Sequence, residues 1–190
     1  MNFFRRTAAS LQSSTDALLA ERAADGDIDA FEALARRHSP AMRAQARRLT
    51  MSASDADDAV QDALLRAWSG IADLREPAAV RGWMMRITAN SALALIRRRG
   101  PSTANEDELA LHPDPGPGPE AASISGSALT HLGQALSKLP EPQRQCWVMR
   151  EMGGLPYEEI AKLLDISETS VRGRITRARA TLVKEMEAWR

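Results

Sequence analysis

The sequence predicts an all-α protein made of two small helical domains, joined by a flexible linker rich in proline and acidic residues, with a helix-turn-helix ending the second domain. Apolar residues recur with the helical period, whereas no segment alternates apolar and polar residues as a strand does. Residues 101–125 contain five prolines and five acidic residues but no Lys or Arg, a composition that cannot bury enough surface to fold alone. The predicted units are a disordered tail (1–13), the first domain (14–99), the linker (100–126) and the second domain (127–190).

Capping residues delimit the first two predicted helices. Ser14 or Thr15 caps a short helix that ends at Asp25-Gly26, and the next helix begins at Asp27. Pro40 is expected to kink or restart this second helix. The predicted core positions are Leu18, Leu19 and Ala23 in the first helix and Ile28, Phe31, Leu34, Ala35, Met42, Ala46 and Leu49 in the second, while Arg43, Arg47 and Arg48 stay in solvent.

Two more helices complete the first domain, and each leaves a polar face outside. Residues 55–68 form the third helix and residues 78–99 the fourth. The predicted core positions are Val60, Ala63, Leu64, Ala67 and Trp68 in the third helix and Val80, Trp83, Met84, Ile87 and Leu95 in the fourth. The residues left outside are Asp58, Gln61, Asp62 and Leu65 on the third helix and Arg86, Asn90, Arg97, Arg98 and Arg99 on the fourth.

The second domain starts near Ser127 with a helix that breaks at residues 140–142, and a further helix then runs to Gly153. Its apolar positions are Leu129, Leu132, Leu136 and Leu139, followed by Cys146, Trp147 and Met149. Next, behind Pro156, comes a short amphipathic helix with apolar residues at i, i+3, i+4 and i+7: Tyr157, Ile160, Ala161 and Leu164. Asp165 is expected to adopt a positive φ in the turn that follows, and Ser167 to cap the last helix.

The last helix combines an apolar back with a basic front. Val171, Ile175, Ala178 and Leu182 fall on one side. Residues 168–184 contain five basic residues against one acid. The front comprises Thr169, Gly173, Thr176 and Arg177, flanked by Arg172, Arg174 and Arg179. Such a helix suits a DNA major groove. The alternative is a solvated basic helix in an ordinary bundle, which the preceding helix and turn disfavour.

Charge is distributed unevenly along a chain whose total charge is zero. Residues 36–48 and 81–99 each hold five Arg and no acid, whereas residues 55–62 hold four Asp and no base. Such blocks are typical of surfaces that meet different partners.

Several classes of protein are disfavoured by what the sequence lacks. Its single cysteine, Cys146, allows no internal disulfide and is consistent with a reducing compartment. The three histidines share no metal-ligand spacing with it, so we expect neither metal nor cofactor. No apolar run approaches the roughly 18 residues that span a bilayer, so we expect a cytoplasmic chain without membrane insertion. No catalytic order of residues or phosphate loop can be assembled, which makes an enzyme the least favoured class.

Several segments match, in order and spacing, the motifs of one known family. They are Gly26-Asp27 with Ala30-Phe31 and Leu34, the helix from Asp57-Asp58 to Trp68 with Gln61, Trp83 to Asn90, Arg97-Arg98-Arg99, Leu139-Pro140, Arg144, Tyr157-Glu158-Glu159-Ile160-Ala161, and Val171-Arg172 through Arg179. On these segments residues 16–99 and 127–184, about three quarters of the chain, resemble the two domains of the extracytoplasmic-function (ECF) sigma factors of bacterial RNA polymerase.

The resemblance implies a set of partners for the predicted surfaces. The helix at 55–68 would dock on the clamp of the largest catalytic subunit of core RNA polymerase through Asp58, Gln61, Asp62 and Leu65, unless this is simply a solvated acidic face. The second domain would contact the flap of the second subunit. The linker would thread the channel that later holds RNA, or act as a mere tether. Most members of the family are held inactive by an anti-sigma factor, which we expect here too.

The resemblance also implies how promoter DNA is divided between the domains. The helix at 80–99 would recognise the melted minus-ten element, with one base flipped into a pocket and with Arg86, Asn90, Arg97 and Arg98 along the backbone. Trp83 is assigned to the core rather than to a stacking platform. The last helix would read the minus-thirty-five element as duplex, with Arg177, Thr176 and Gly173 at base edges and Arg172, Arg174 and Arg179 near phosphates.

The chain departs from the family pattern at three positions, and two other function classes compete with it. Asp57 stands where the family usually has Glu, Gly173 replaces a common Ser, and Thr176 occupies a site that is often aromatic or His. One competitor is a helix-turn-helix regulator that acts without polymerase. The other is a protein that imitates a sigma factor to sequester an antagonist. Such a mimic is expected to lose its DNA-reading arginines, which are present here.

Overall fold

In a computed structural model of the chain, residues 11, 13–100 and 131–187 are described, and every regular element among them is helical. The first domain contains α1 (Asp16–Ala24), α2 (Ile28–Thr50), α3 (Ala53–Gly70) and α4 (Val80–Arg99), with two 3-10 turns (Ile71–Asp73 and Pro77–Ala79) between α3 and α4. The second contains a helical segment at 131–137 (α5), α6 (Glu141–Glu151), α7 (Tyr157–Leu164) and α8 (Glu168–Glu187). The predicted all-α class is confirmed.

Side-chain caps start the helices of the first domain where the sequence places polar residues. The side chain of Thr15 accepts the amide of Leu18, which settles the choice between Ser14 and Thr15. Asp27 caps α2 in the same way, and Ser52 caps α3. Each cap satisfies one of the free N–H groups of a first helical turn and contributes about 1 kcal/mol.

The expectation that Pro40 would kink or restart the second helix is wrong in its stronger form, since α2 runs unbroken through it from Ile28 to Thr50. Pro40 lacks the N–H that would bond the carbonyl of Arg36. Pro40 is exposed, so water can solvate that carbonyl. The side chains beyond it, at Met42, Ala46 and Leu49, are buried as predicted.

Helix α4 packs against both α2 and α3, which also pack against each other. Three expectations about this core are corrected. Leu18 is 45% exposed and Ile28 is 68% exposed, because each lies in the first turn of its helix and points away from the neighbouring helices. Trp68 is 38% exposed and packs edge-on against Phe31, with ring centroids 5.1 Å apart.

His38 is a buried polar group in this core. It is 5% exposed, and its Nε2 lies 3.0 Å from the Asp16 carboxylate without a hydrogen bond of good geometry. Burial lowers the pKa of His38, while the charge of Asp16 opposes that shift. His38 is therefore neutral near pH 7 and lies buried beside the first turn of α1.

In the second domain, α6 starts at the predicted Pro140 break and packs against α8. Its buried residues Cys146, Val148 and Met149 meet the apolar back of α8, where Val171, Ile175, Ala178 and Leu182 are all buried as predicted. Leu136 and Leu139 complete the same core.

Some predictions lie outside the described residues. These are the linker over 101–126, the start of the second domain at 127–130 and most of the tail. Leu11, which the sequence assigns to that tail, is 5% exposed and belongs to the core. The first core therefore extends upstream of the predicted boundary at residue 14.

The two domains contact each other, which nothing in the sequence pattern indicates. Helix α2 packs against α6. The side chain of Gln45 on α2 is fully buried beside Gly153, at the end of α6. An ion pair joins Arg86 of α4 to Glu159 of α7, with nitrogen and oxygen 3.4 Å apart. One continuous apolar cluster consequently includes residues of both domains.

Candidate nucleic-acid and partner interfaces

The turn between α7 and α8 has the geometry that the sequence predicts. Asp165 adopts the left-handed conformation, with φ 52° and ψ 52°, and its N–H bonds carbonyls of the last turn of α7. Asp and Asn tolerate this region better than most residues other than glycine. Ser167 then accepts the amide of Ser170 at 3.2 Å and caps α8. The turn fixes α8 across α7 as a helix-turn-helix requires.

The front of α8 is exposed over its first three turns. Thr169, Arg172, Thr176, Arg177 and Arg179 are exposed, while Gly173 and Arg174 are half-buried. The Arg177 guanidinium folds back over Gly173, where an added Cβ would lie 3.4 Å from its Nη1. Gly173 therefore leaves room for Arg177 on the face opposite the apolar stripe.

Arg172 is held by groups outside the front of α8. Its guanidinium lies 5.3 Å from the ring centroid of Tyr157, and Arg150 lies 4.7 Å from the same centroid. Arg172 also contacts Glu168 at 3.3 Å, and Arg150 donates to the carbonyl of Leu155 at 2.9 Å. Cation–π contacts of this kind contribute about 0.5–1 kcal/mol at exposed sites. Tyr157, the first residue of α7, thus links Arg150 of α6 to Arg172 on the flank of the front.

The two remaining arginines of α8 differ from each other in their surroundings. Arg179 pairs with Glu151 of α6 at 2.6 Å, and this carboxylate raises the pKa of Arg179. Arg174 is half-buried against Cys146, whose thiol has its pKa raised by burial and lowered in part by Arg174. The side chain of Arg174 thus turns toward α6, and its contact with a phosphate stays a prediction.

Helix α4 presents basic residues in its second turn and at its C-terminal end. Arg97 and Arg98 are exposed at its C-terminal end, and Asn90 is exposed near its middle. Arg86 is exposed too but is paired with Glu159 of the second domain. Trp83 is half-buried and packs against the core, as its helical position predicts.

The outer face of α3 borders a groove of about 480 Å³ between α3 and α4. Its lining comprises Asp58, Gln61, Asp62, Leu65, Arg66, Ser91, Ala94, Leu95 and Arg98. The four residues that the sequence assigns to a partner thus lie together, and Leu65 is 64% exposed. Leu65 is thus an exposed apolar side chain beside the charged groups of the groove.

Asp62 is less free than the sequence suggests. Its carboxylate accepts a hydrogen bond from Ser91 of α4 at 2.6 Å and another from Arg66 at 2.8 Å. The Ser91 bond, together with Arg66 and Arg98, lowers the pKa of Asp62. Asp62 is therefore held as an anion on the groove floor, while Asp58 and Gln61 are the exposed polar groups beside it.

Sequence reasoning missed the residues that support these surfaces. Glu151, Tyr157 and Glu159 each hold an arginine on another helix, and such pairings depend on packing angles that no helical period encodes. Arg144, a family-matching position, is buried and donates to the carbonyl of Leu139 at 3.2 Å. It therefore stabilises the start of α6 rather than facing a ligand.

Two other features are absent from the part of the chain that the structure describes. No three His, Cys, Asp or Glu residues there are grouped so as to hold a metal ion. Among the same residues, no helix has the length and apolar character that crossing a bilayer requires.

Two family models match the two domains. Residues 34–101 match sigma-70 region 2, and residues 130–182 match sigma-70 region 4. The sigma factor NccH of Alcaligenes xylosoxydans xylosoxydans is 32% identical over 182 residues, which cover 92% of this chain and 96% of NccH. The ECF sigma factor SigM of Mycobacterium tuberculosis is 35% identical over 173 residues, which cover 91% of this chain and 85% of SigM.

Solved structures agree with these sequence matches. CnrH in complex with the cytosolic domain of CnrY has a TM-score of 0.59 at 30% identity, with 92% of this chain and 99% of that one covered. RpoE of Bartonella quintana, in complex with the anti-sigma factor NepR, has a TM-score of 0.58 at 26% identity, with 80% of this chain and 92% of that one covered.

Two helical domains of this type, the second with a basic helix-turn-helix, define a sigma-70-type promoter-recognition protein. The chain belongs to the ECF group of RNA polymerase sigma factors. It is thus a polymerase subunit that directs promoter recognition and transcription initiation, and a regulator acting without polymerase is not favoured.

Proposed function

We propose that the chain docks on the clamp of the largest catalytic subunit of core RNA polymerase through the outer face of α3. The proposal rests on one observation: a single groove is lined by Asp58, Gln61, Asp62 and the exposed Leu65. An apolar residue within a polar rim is typical of the centre of a protein interface. The Ser91 bond fixes the Asp62 carboxylate in advance, so less side-chain freedom is lost on docking.

Promoter DNA meets both domains in this proposal. The exposed cations of α4, with Asn90, follow the backbone of the melted minus-ten strand, and phosphate contacts of this kind supply affinity without sequence preference. The front of α8 enters the major groove of the minus-thirty-five element, supported by its exposed Arg177 and Thr176 above a fully buried back. Base edges are read there, since the major groove distinguishes all four base pairs.

The remaining parts of the proposal concern partners and location. The second domain contacts the flap of the polymerase's second subunit. An anti-sigma factor holds the chain inactive, a proposal supported by the solved relatives CnrH with CnrY and RpoE with NepR. The protein acts in the cytoplasm and performs no catalysis of its own, because the polymerase supplies the chemistry.

The docking proposal is tested by reversing charge on the α3 face. Asp58→Arg with Gln61→Arg should abolish co-purification with core polymerase, because two cations would replace the exposed acid and amide beside Leu65. The matched control is Asp29→Arg with Glu32→Gln, which makes the same change of charge at two exposed positions near the start of α2 and outside the groove. Helical content should stay unchanged in both variants. Unchanged co-purification of the α3 variant would refute the assignment.

A further inference from the structure

Gly173 lies inside α8, although glycine weakens the interior of a helix relative to alanine. No positive φ requires a glycine there, because the glycines with positive φ are at other positions. Packing against another helix does not require it either. The three atoms nearest to an added Cβ at position 173 all belong to the Arg177 guanidinium. The space left by the missing side chain is therefore filled by Arg177.

The side chain of Arg177 reaches Gly173 along the surface of α8. Residues four apart share a helix face, and side chains lean toward the N-terminal end of the helix. The Nη1, Nη2 and Cζ atoms of Arg177 lie 3.4, 3.8 and 3.9 Å from the position of a Cβ at residue 173. The guanidinium thus lies over bare backbone, one turn before its own Cα. A side chain at position 173 would lift it away from the helix.

Arg177 also differs from the other arginines of α8 in having no partner of its own. Each of the other three is held by a group of the protein: Arg172 by Glu168, Arg174 by Cys146 and Arg179 by Glu151. Within the ranges that the structure describes, no ion pair or hydrogen bond engages the Arg177 guanidinium. Its N–H donors are consequently available to a ligand.

The polar group next to Arg177 on the front is less available. Thr176 donates its hydroxyl proton to the carbonyl of Arg172 at 3.0 Å, so this donor is used within the helix. Gly173 has no side chain to contribute. Over the middle of the front, Arg177 is thus the main source of hydrogen-bond donors.

We infer that Gly173 determines which base pair of the upstream element Arg177 reads, an inference that rests on the proposed function of α8. The glycine lets the guanidinium lie over the second turn of α8, and the N-terminal part of a recognition helix is the part that meets base edges. An arginine that binds a base through two hydrogen bonds most commonly binds O6 and N7 of guanine. The base pair facing residue 173 is therefore a G·C pair, which is read by Arg177 across the glycine.

This role separates the selectivity of α8 from its stability. An alanine would strengthen the helix but would place a methyl group 3.4 Å from Nη1 of Arg177. A valine would add two further carbons on that side, and in a helix its side chain is almost confined to one rotamer. Selectivity should therefore fall from glycine to alanine to valine, whereas alanine is the best helix former of the three. A purely structural role for Gly173 would not give these two different orders.

The first test is a selection by the full-length chain from duplex DNA randomised over the upstream element. Gly173→Val should lower the preference for guanine at one position at least about five-fold, and Gly173→Ala about two-fold, because a bidentate arginine supplies discrimination of this order. Gly173→Ala should nevertheless raise the melting temperature by about 1–4 °C. The matched control is Gly82→Val in α4, an exposed glycine whose added Cβ meets nothing within 4 Å. It should select as wild type does.

The second test asks whether Gly173→Val acts through Arg177. Affinity for the selected duplex is measured for both single variants and for Gly173→Val with Arg177→Ala. The valine substitution should weaken binding in the presence of Arg177 and cause no further loss in the Arg177→Ala background. Replacing the selected guanine by 7-deazaguanine, which lacks the N7 acceptor, should weaken wild type but not Gly173→Val. An equal loss from Gly173→Val in both backgrounds would overturn the inference, since a collision with DNA would then explain it.

The outcomes separate the inference from the proposed function. An Arg177→Ala chain that selects the wild-type sequence would refute the proposed reading of DNA by Arg177, and the inference with it. A preference that is lost in Arg177→Ala but kept in full by Gly173→Val would refute the inference alone. So would an Arg177-dependent position at which wild type selects a base pair other than G·C. Neither test requires polymerase, so a failure of the proposed polymerase docking would leave both results valid.

Discussion

The two helices proposed to face DNA, α4 and α8, are equally long but packed in opposite ways. Both contain 20 residues. In α4 adjacent residues such as Met84 and Met85 are both buried, because α2 and α3 cover it from two sides. In α8 the buried positions are separated by three or four residues, so a single stripe meets the core. Helix α4 is therefore covered on two sides and has basic residues at its C-terminal end. Helix α8 lies on the surface and has a long exposed face.

This difference fits the role proposed for each helix in promoter binding. A helix with one buried stripe can present several consecutive turns to a groove, as direct reading of bases requires. A helix buried on two sides leaves only its ends and a narrow strip, which suffices to follow a single-stranded backbone. Arg97 and Arg98 at one end of α4 fit that role, and the upstream arginine, Arg86, is the one held by the second domain.

The largest expected effect tests the packing of α4. Met85→Ala should lower the free energy of unfolding of the first domain by about 2–5 kcal/mol, because it leaves a cavity beside a fully buried helix. Thr176→Ala, next to buried Ile175 on α8, should change stability by no more than about 0.5 kcal/mol. Urea unfolding, monitored by hydrogen exchange in each domain, measures both changes in the free energy of unfolding. A loss below about 1 kcal/mol for Met85→Ala would contradict the two-sided burial of α4.

The next effect distinguishes base reading from phosphate contact on α8. Arg177→Ala should flatten the preference at one or two upstream positions, since a bidentate arginine contributes about 1–3 kcal/mol of discrimination. Arg179→Ala should instead weaken all sequences alike and reduce the salt slope by about 1. A randomised-promoter selection at two salt concentrations separates them. An unchanged selected sequence in Arg177→Ala would mean that α8 is oriented differently in the groove.

A smaller effect is expected from the tyrosine that stacks on Arg172. Tyr157→Leu should weaken upstream duplex binding by about 0.5–1 kcal/mol, because the cation–π contact that positions Arg172 is lost. Tyr157→Phe retains the ring and should bind as wild type does. In an Arg172→Ala background the leucine substitution should have no further effect. An undiminished effect in that background would assign Tyr157 a role apart from Arg172.

The smallest effect concerns pH and the first domain. Burial lowers the folded-state pKa of His38 below its unfolded value of about 6.5. Stability is therefore unaffected by His38 above that value and decreases as the pH falls below it, because the unfolded chain binds the proton more readily. The loss levels off below the folded pKa. In His38→Gln this part of the pH dependence should disappear from urea unfolding between about pH 7 and 5, and a wild-type slope in that variant would exclude His38 as its source.

The helix-turn-helix was the most predictable part of the molecule. The stripe from Val171 to Leu182, the left-handed Asp165 and the capping Ser167 follow from local rules that involve neighbours within a few residues. The same rules gave the wrong exposure for Ile28 and Trp68, since a helical period identifies a face but not how much of it a neighbouring helix covers. Near a helix end, coverage depends on where the next helix passes.

Contacts between distant segments were beyond prediction from the sequence. Gln45 and Glu159 each look like ordinary solvent-facing residues in their own helices, yet one is fully buried and the other holds Arg86. Their partners lie more than 70 positions away in the chain, across the predicted linker. For the α3 groove, the exposed set was predicted, but the Ser91 bond that fixes Asp62 was not, because it joins two helices.

The buried Cys146 can report how often the core of the second domain opens. It is the only cysteine in the sequence, and its side chain is 0% exposed in the core between α6 and α8. Burial also raises the pKa of its thiol, which leaves little of the reactive thiolate at neutral pH. A thiol reagent can modify Cys146 only when this core opens. The labelling rate of the wild-type protein therefore measures how often the core opens. The rate observed on polymerase, on DNA or with an inhibitor bound would tell how firmly each partner holds the second domain together.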